Sequence, residues 1–294
     1  MTIEDVTMEA VRALPRIAPY DLTAAAAKPA GGVDWHLDRE RAVLLVHDMQ
    51  EYFAASFDRT QSPFAGAVAN IARLRAAAHR AGVPVVYSAQ PGDQPPAERA
   101  LLADFWGPGM RSDPTEQSII EALAPAPGDT VITKWRYSAF QRTPLRQVLD
   151  DAGRDQLVVT GIYAHIGCLA TCLEAFMTDV QPFLVADAVA DFSLTDHRMA
   201  VDYAARRCAA VVDTDAVAAT FDDAVPVGRD WLRGAVAARV GEAVGDGDDL
   251  IDVGLDSVHV MEIVEELQAT GHDVGFAQLA ERYTLGEWFA LLGV

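Results

Sequence analysis

The stretch "VVTGIYAHIGCLATCLEAF" (158–176) runs from β-branched apolar residues through a glycine into a helical pattern. That is the signature of a buried strand feeding a helix. The same passage recurs along the chain. Strand-like runs stand at "AVLLV" (42–46), "VPVVYSA" (83–89), "DTVITK" (129–134), "QLVVTG" (156–161), "FLVAD" (183–187) and "AAVVD" (209–213). Each is continuously apolar rather than alternating, as strands covered on both faces are. Between them lie amphipathic segments such as "AVANIARLRAAAHRAG" (67–82), ending on a glycine suited to a helix C-terminus. Strand–helix alternation predicts an α/β fold, a doubly wound, mostly parallel sheet, and leaves the strand order open.

Beyond Thr214 the pattern changes. "DAVAATFDDAVPVG" (215–228) is weakly periodic, holds a Pro and a Gly, and reads as a linker. From Arg229 the periodicity is helical, in "DWLRGAVAARVGEAV", "SVHVMEIVEELQATG" and "TLGEWFALLG", which predicts a small all-α bundle. The organisation expected is therefore 1–214, including an N-terminal arm of about forty residues, a linker over 215–228, and a bundle over 229–294. The 294 residues suffice for one large and one small domain.

The formal net charge of −20 argues against a nucleic-acid partner, and 13 of the acids fall between Arg229 and Val294 against 4 Arg. The apolar runs are strand-length, so none spans a membrane. "MTIEDVTMEA" lacks a signal peptide's basic region and apolar core, and three cysteines fit no disulfide framework, so a reducing cytoplasm is the expected address. Basic residues are almost all arginine; Lys28 and Lys134 are the only lysines.

Ligands of open α/β sheets bind at the carboxyl ends of the strands. The polar residues there are Asp48, Gln90, Lys134 and Tyr163. An acid, an amide, a cation and a phenol would converge on one crevice if their strands are adjacent. His47 and His165 flank that position without metal-ligand spacing, so no metal is expected. "DFSLTDH" (191–197) reads as a helix start capped by Ser193 or Thr195, and Cys208 as a buried filler.

"LLVHDMQEYF" (44–53), "AQPG" (89–92), "ERALLADFWGPGM" (98–110), "TKWRYSAF" (133–140) and "GIYAHIGC" (161–168) resemble the isochorismatases, a branch of the isochorismatase-like hydrolases. The superfamily's amidases use an Asp–Lys–Cys triad. By that resemblance Asp48 matches the Asp and Lys134 the Lys, while the Cys slot falls on Gly167, one residue before Cys168. Acyl transfer needs the thiolate; hydrolysis of a vinyl ether does not. The resemblance implies isochorismate as substrate, with Asp48 as proton donor, its pKa raised by burial or by substrate carboxylates. Lys134 is assigned mainly to a substrate carboxylate and to positioning, and Gly167 to leaving room for the enolpyruvyl group or water. Gln90, Arg99 and Tyr163 are implied to contact the substrate, Arg99 bidentately, with Phe53, Trp106 and Tyr137 as apolar walls. The same site would serve 2-amino-2-deoxyisochorismate, and a silent scaffold and a cysteine amidase are further alternatives.

In the tail, "GLDSV" precedes a helix with an apolar face of Val260, Ile263, Val264 and Leu267 and Glu262, Glu265 and Glu266 outward. This resembles the phosphopantetheine site of carrier proteins, with Ser257 as the attachment serine and the helix's free N–H groups favouring the phosphate. Together the two units resemble the bifunctional isochorismatase/aryl carrier proteins of catechol siderophore synthesis. That resemblance implies 4′-phosphopantetheine as a covalent cofactor and 2,3-dihydroxybenzoate as the aryl acid carried. The implied partners are a phosphopantetheinyl transferase, an aryl-adenylating ligase and the condensation module of a nonribosomal peptide synthetase. It also implies at least a homodimer.

Overall fold

The six apolar runs form six strands: β1 (Ala42–His47), β2 (Val85–Ala89), β3 (Thr130–Thr133), β4 (Gln156–Ile162), β5 (Gln181–Ala190) and β6 (Ala210–Val212). The structure is a computed structural model that describes residues 14–29, 32–222, 227–270 and 272–294. All strands pair in parallel in one sheet of order β3-β2-β1-β4-β5-β6. In the centre, Leu44 is in register with Val85 on one side and Val158 on the other. Every residue of β1 and β4 is buried. The outer strand β3 departs from the expectation of two covered faces: as an edge it leaves Val131 53% exposed.

Side chains of β1 alternate between two cores. Ala42, Leu44 and Val46 join one with Phe64, Ile71 and Leu74 of the helix Phe64–Arg80. Val43 and Leu45 join the other, with Leu149 of Leu145–Asp151, Cys172 of Leu169–Met177 and Val201 of Leu194–Arg207. Apolar residues three and four apart make the 64–80 helix one-faced, and Gly82 follows its end at φ +66°, a conformation that favours glycine. Ser193 caps the 194–207 helix, its Oγ accepting from the Asp196 N–H at 3.1 Å.

The linker expected over 215–228 is corrected at its start. Thr214–Asp222 is a helix that sets Val217, Ala218 and Phe221 into the first core. Its buried face is partly alanine, which gives weak periodicity in hydropathy but packs closely. The chain divides after Asp222, and residues 223–226 lie outside those described. Of the N-terminal arm, residues 1–13, 30 and 31 also lie outside them. Ile17 packs into the first core, and Lys28 pairs with Asp213 at the surface.

The second unit consists of the helices Arg229–Val240, Ser257–Ala269, Phe276–Ala280 and Leu285–Leu292. Leu232, Val236, Ile263, Leu267, Leu279 and Trp288 fill its centre. The buried Trp288 indole donates to the carbonyls of Leu279 and Arg282. No helix among the described residues is long and apolar enough to cross a membrane.

Candidate active site

β1 and β4 are the adjacent central strands; the strands after β1 extend the sheet on one side and those after β4 on the other, and a crevice opens beyond their carboxyl ends. Asp48 follows β1 directly, with φ +49°. A left-handed backbone at an aspartate is strain of the kind that marks functional positions. Its N–H donates to the Ser88 carbonyl at 3.1 Å, which holds the turn. Lys134 follows β3, Gln90 follows β2, and Tyr163 and Gly167 follow β4.

The Asp48 carboxylate is buried at the floor of the pocket. Oδ2 receives Lys134 Nζ at 3.0 Å and Gln90 Nε2 at 3.0 Å. Oδ1 receives Ser88 Oγ at 2.6 Å and lies 3.9 Å from His47 Nδ1. Burial alone would raise this carboxyl's pKa. The Lys134 ammonium, His47 and the hydrogen bonds from Ser88 and Gln90 outweigh it and hold the pKa below the usual carboxylate range. Of the two causes expected to raise this pKa, burial is thus outweighed, and among these partners Asp48 is a carboxylate.

Of the two roles expected of Lys134, its contacts fit positioning, and the substrate carboxylate is corrected. Besides Asp48, Nζ donates to the carbonyls of Arg136 at 2.5 Å and Tyr137 at 3.3 Å. An ammonium has three protons, and all three are engaged inside the protein. Arg99 is the better partner for an anion. Its guanidinium is buried, Nε donates to Gly107 O at 3.0 Å, and among the described residues no carboxylate pairs with it. Burial pulls its pKa down, an unfavourable state that an incoming carboxylate relieves.

Phe53, Trp106, Tyr137 and Tyr163 all line the pocket, which encloses about 680 Å³ including its open mouth. Trp106 Nε1 donates to Tyr137 Oη at 2.7 Å, joining two walls. The Tyr163 hydroxyl, however, donates to Phe53 O at 2.9 Å, so this residue offers a ring face rather than a free donor. That ring lies 4.3 Å from Phe192, centroid to centroid.

Gly167 lines the pocket beside His47. A Cβ placed on it would lie 2.1 Å from His47 Cε1, so the imidazole already fills the volume that a side chain here would need. Cys168 and Cys172 face the other core and are buried, as is Cys208. Burial pushes the first two thiols well above their ordinary range and Cys208 up to about 11, the opposite of an activated nucleophile. His165 stands outside the pocket. Its ring and its N–H both bind the buried Asp191 carboxylate at 2.6 Å, which fixes the π-helical turn Ala164–Cys168.

Ser88, Gln50 and Arg136 also belong to the site, as does His47, which the sequence placed beside it without a role. Gln50 donates to the carbonyls of Gln90 and Gln117 and accepts from the Gln90 N–H, so it sets where Gln90 stands. Its sequence signal is proximity to Asp48 in "HDMQ". Among the described residues no three or more His, Cys, Asp or Glu converge as metal ligands would.

In the second unit Ser257 is the exposed first residue of its helix. The free N–H groups expected beside it are taken: the Asp256 carboxylate accepts from Val258 N at 2.9 Å and His259 N at 3.0 Å. The predicted apolar face is buried, but part of the acidic face is neutralised, since Arg239 pairs with Glu262 and Glu266.

Residues 42–216 match the isochorismatase domain, and residues 230–292 match the phosphopantetheine attachment site. The chain is 48% identical to an isochorismatase of Bacillus subtilis, over 95% of both chains. It is 42% identical to enterobactin synthase component B of Escherichia coli, over 95% of this chain and 98% of that one. Among solved structures, a cysteine hydrolase from Pseudomonas syringae superposes with TM-score 0.59 at 26% identity, over 67% of this chain and 98% of the other. The chain belongs to the isochorismatase family. Its second unit is a phosphopantetheine carrier, which makes 4′-phosphopantetheine its covalent cofactor.

Proposed function

We propose that the larger unit hydrolyses isochorismate to 2,3-dihydro-2,3-dihydroxybenzoate and pyruvate without a covalent intermediate. The second unit then carries 2,3-dihydroxybenzoate as a thioester for nonribosomal siderophore assembly. One observation carries the hydrolytic reading: the pocket floor holds a strained, buried acid, while every thiol is turned away from it and the ring of His47 fills the nucleophile's place.

Isochorismate brings carboxylates into this pocket. Arg99 pairs one of them, and negative charge beside Asp48, with water expelled, raises the Asp48 pKa from its depressed resting value. Protonated Asp48 gives its proton to the terminal CH2 of the enolpyruvyl group, making a methyl group and an oxocarbenium-like carbon. Water adds to that carbon and returns a proton to Asp48. The hemiketal then collapses: its hydroxyl loses its proton as the C=O of pyruvate forms, the bond from that carbon to the ring oxygen breaks, and the ring oxygen takes up a proton to become the hydroxyl. Gln90 orients the Asp48 carboxyl, Lys134 stabilises its anion between turnovers, and Phe53, Trp106, Tyr137 and Tyr163 shield the cation from bulk solvent.

In the carrier, Ser257 is the residue proposed to bear phosphopantetheine, because it is exposed at a helix start within the matched span. A phosphopantetheinyl transferase would install the arm, an aryl-adenylating ligase would load it, and a condensation module would unload it. The arm supplies the thiol that holds the aryl acid; the helix supplies a rigid, exposed point of attachment.

The test is pyruvate release from isochorismate and from 2-amino-2-deoxyisochorismate under identical conditions. Preference for isochorismate is expected. No pyruvate from isochorismate would overturn the reading, and preference for the amino compound would change the substrate.

A further inference from the structure

His47 and Gly167 form one packing unit across β1 and the turn after β4. A methyl group on Gly167 would lie 2.1 Å from Cε1, 2.7 Å from Nε2 and 3.0 Å from Nδ1 of the His47 ring. Carbon atoms meet favourably at about 3.5–4.0 Å, so the two side chains exclude one another. The ring lines the pocket and is held at both nitrogens' sides. It is 1% exposed, with Nδ1 2.9 Å from Ile162 O and Nε2 3.3 Å from Tyr137 O. The shorter contact assigns the proton of a neutral imidazole to Nδ1, donating to Ile162 O.

These contacts tie together the elements that carry the chemistry. Ile162 ends β4, just before the turn that holds Gly167. The Tyr137 carbonyl beside Nε2 accepts from Lys134 Nζ. His47 itself precedes Asp48, whose φ of +49° leaves its carboxylate sensitive to any shift of β1's last residue. The ring is a wedge between Asp48, the loop of Lys134 and Gly167.

We propose that His47 is a positioning residue that fixes Asp48, and that the His47–Gly167 pair closes the site to thiol chemistry by occupying the nucleophile's volume. The proposal deepens the isochorismatase reading and rests on it for its kinetic arm. It reverses the meaning of Gly167: the glycine gives its space to an imidazole, and a cysteine at 167 requires the loss of that ring.

The test is a double-mutant cycle in the full chain: wild type, Gly167→Ala, His47→Ala and the double variant, each measured for kcat, KM and thermal midpoint. Displacing the ring misaligns Asp48, so Gly167→Ala should lower kcat by about 10²-fold with KM little changed. In the His47→Ala background the same methyl should cost no more than about twofold, the scatter of independent sites. A Gly167→Ala enzyme with native kcat overturns the proposal, and so does an equal loss in both backgrounds. If Gly167→Ala does not fold, the double variant must fold with the midpoint of His47→Ala; failure of both overturns it. If His47→Ala is too slow to assay, the midpoints alone decide in the same way. Absence of pyruvate release by the wild type would refute the isochorismatase reading instead, and the cycle of midpoints would still decide the packing.

Discussion

Asp48 draws Gln90 and Lys134 from two other strand ends, with Ser88 and His47, around one carboxylate, and these neighbours act on its charge. Lys134 is the main stabiliser, so removing it exposes the cost that burial alone imposes. With Lys134→Met, Asp48 stays buried without its cation and its pKa rises above the unfolded value of about 3.9. In the native chain the folded pKa is depressed, so Asp48's contribution to stability is present above the unfolded value and lost as pH falls through the folded one. In the variant the sign reverses: the deficit grows as pH rises. A loss of about 3–5 kcal/mol near pH 7, shrinking towards pH 5, is expected from denaturation midpoints across that range. A loss independent of pH would contradict this. At this scale Asp48, Lys134, Gln90 and Arg99 were legible because they stand at strand ends and in matched motifs. Ser88 and Gln50 were not, and His47 was placed but given no role, since these roles depend on register between strands and on where a buried side chain turns. Gly167 was legible as the position of the missing thiol, but its contact with a ring on β1 was not, since local sequence cannot reveal it.

Among the elements, the six strands were readable because continuous β-branched runs have few other uses. The helix Thr214–Asp222 was missed because alanines on its inner face carry little periodic signal, although Val217, Ala218 and Phe221 are all buried. That helix belongs to the first core rather than to a linker, and Phe221→Ala should demonstrate it. Truncating a buried phenylalanine costs about 3–5 kcal/mol. In the full chain, the larger unit's unfolding transition should move by that amount in urea. A shift below about 1 kcal/mol, as at exposed sites, would return the segment to the linker. The carrier's helix pattern was legible from its apolar spacing. Its pairing of Arg239 with Glu262 and Glu266 was not, because the arginine lies on a separate helix.

For the whole molecule, two chemistries reside in two units with separate cores, and they should separate by mutation. Treatment with a phosphopantetheinyl transferase and coenzyme A should add the arm to the native chain and to Asp48→Asn. Ser257→Ala should remain unmodified by intact-mass measurement; added mass in that variant would place the attachment elsewhere. The central claim is that Asp48 is the acid in a hydrolysis that uses no thiol. Its most direct test is the rate of pyruvate release from isochorismate by Asp48→Asn beside the wild type. The amide preserves size and hydrogen-bonding reach but has no proton to give to carbon. The rate should fall by about 10²–10⁴-fold, the usual worth of a general acid. A variant that releases pyruvate at close to the native rate would contradict the account.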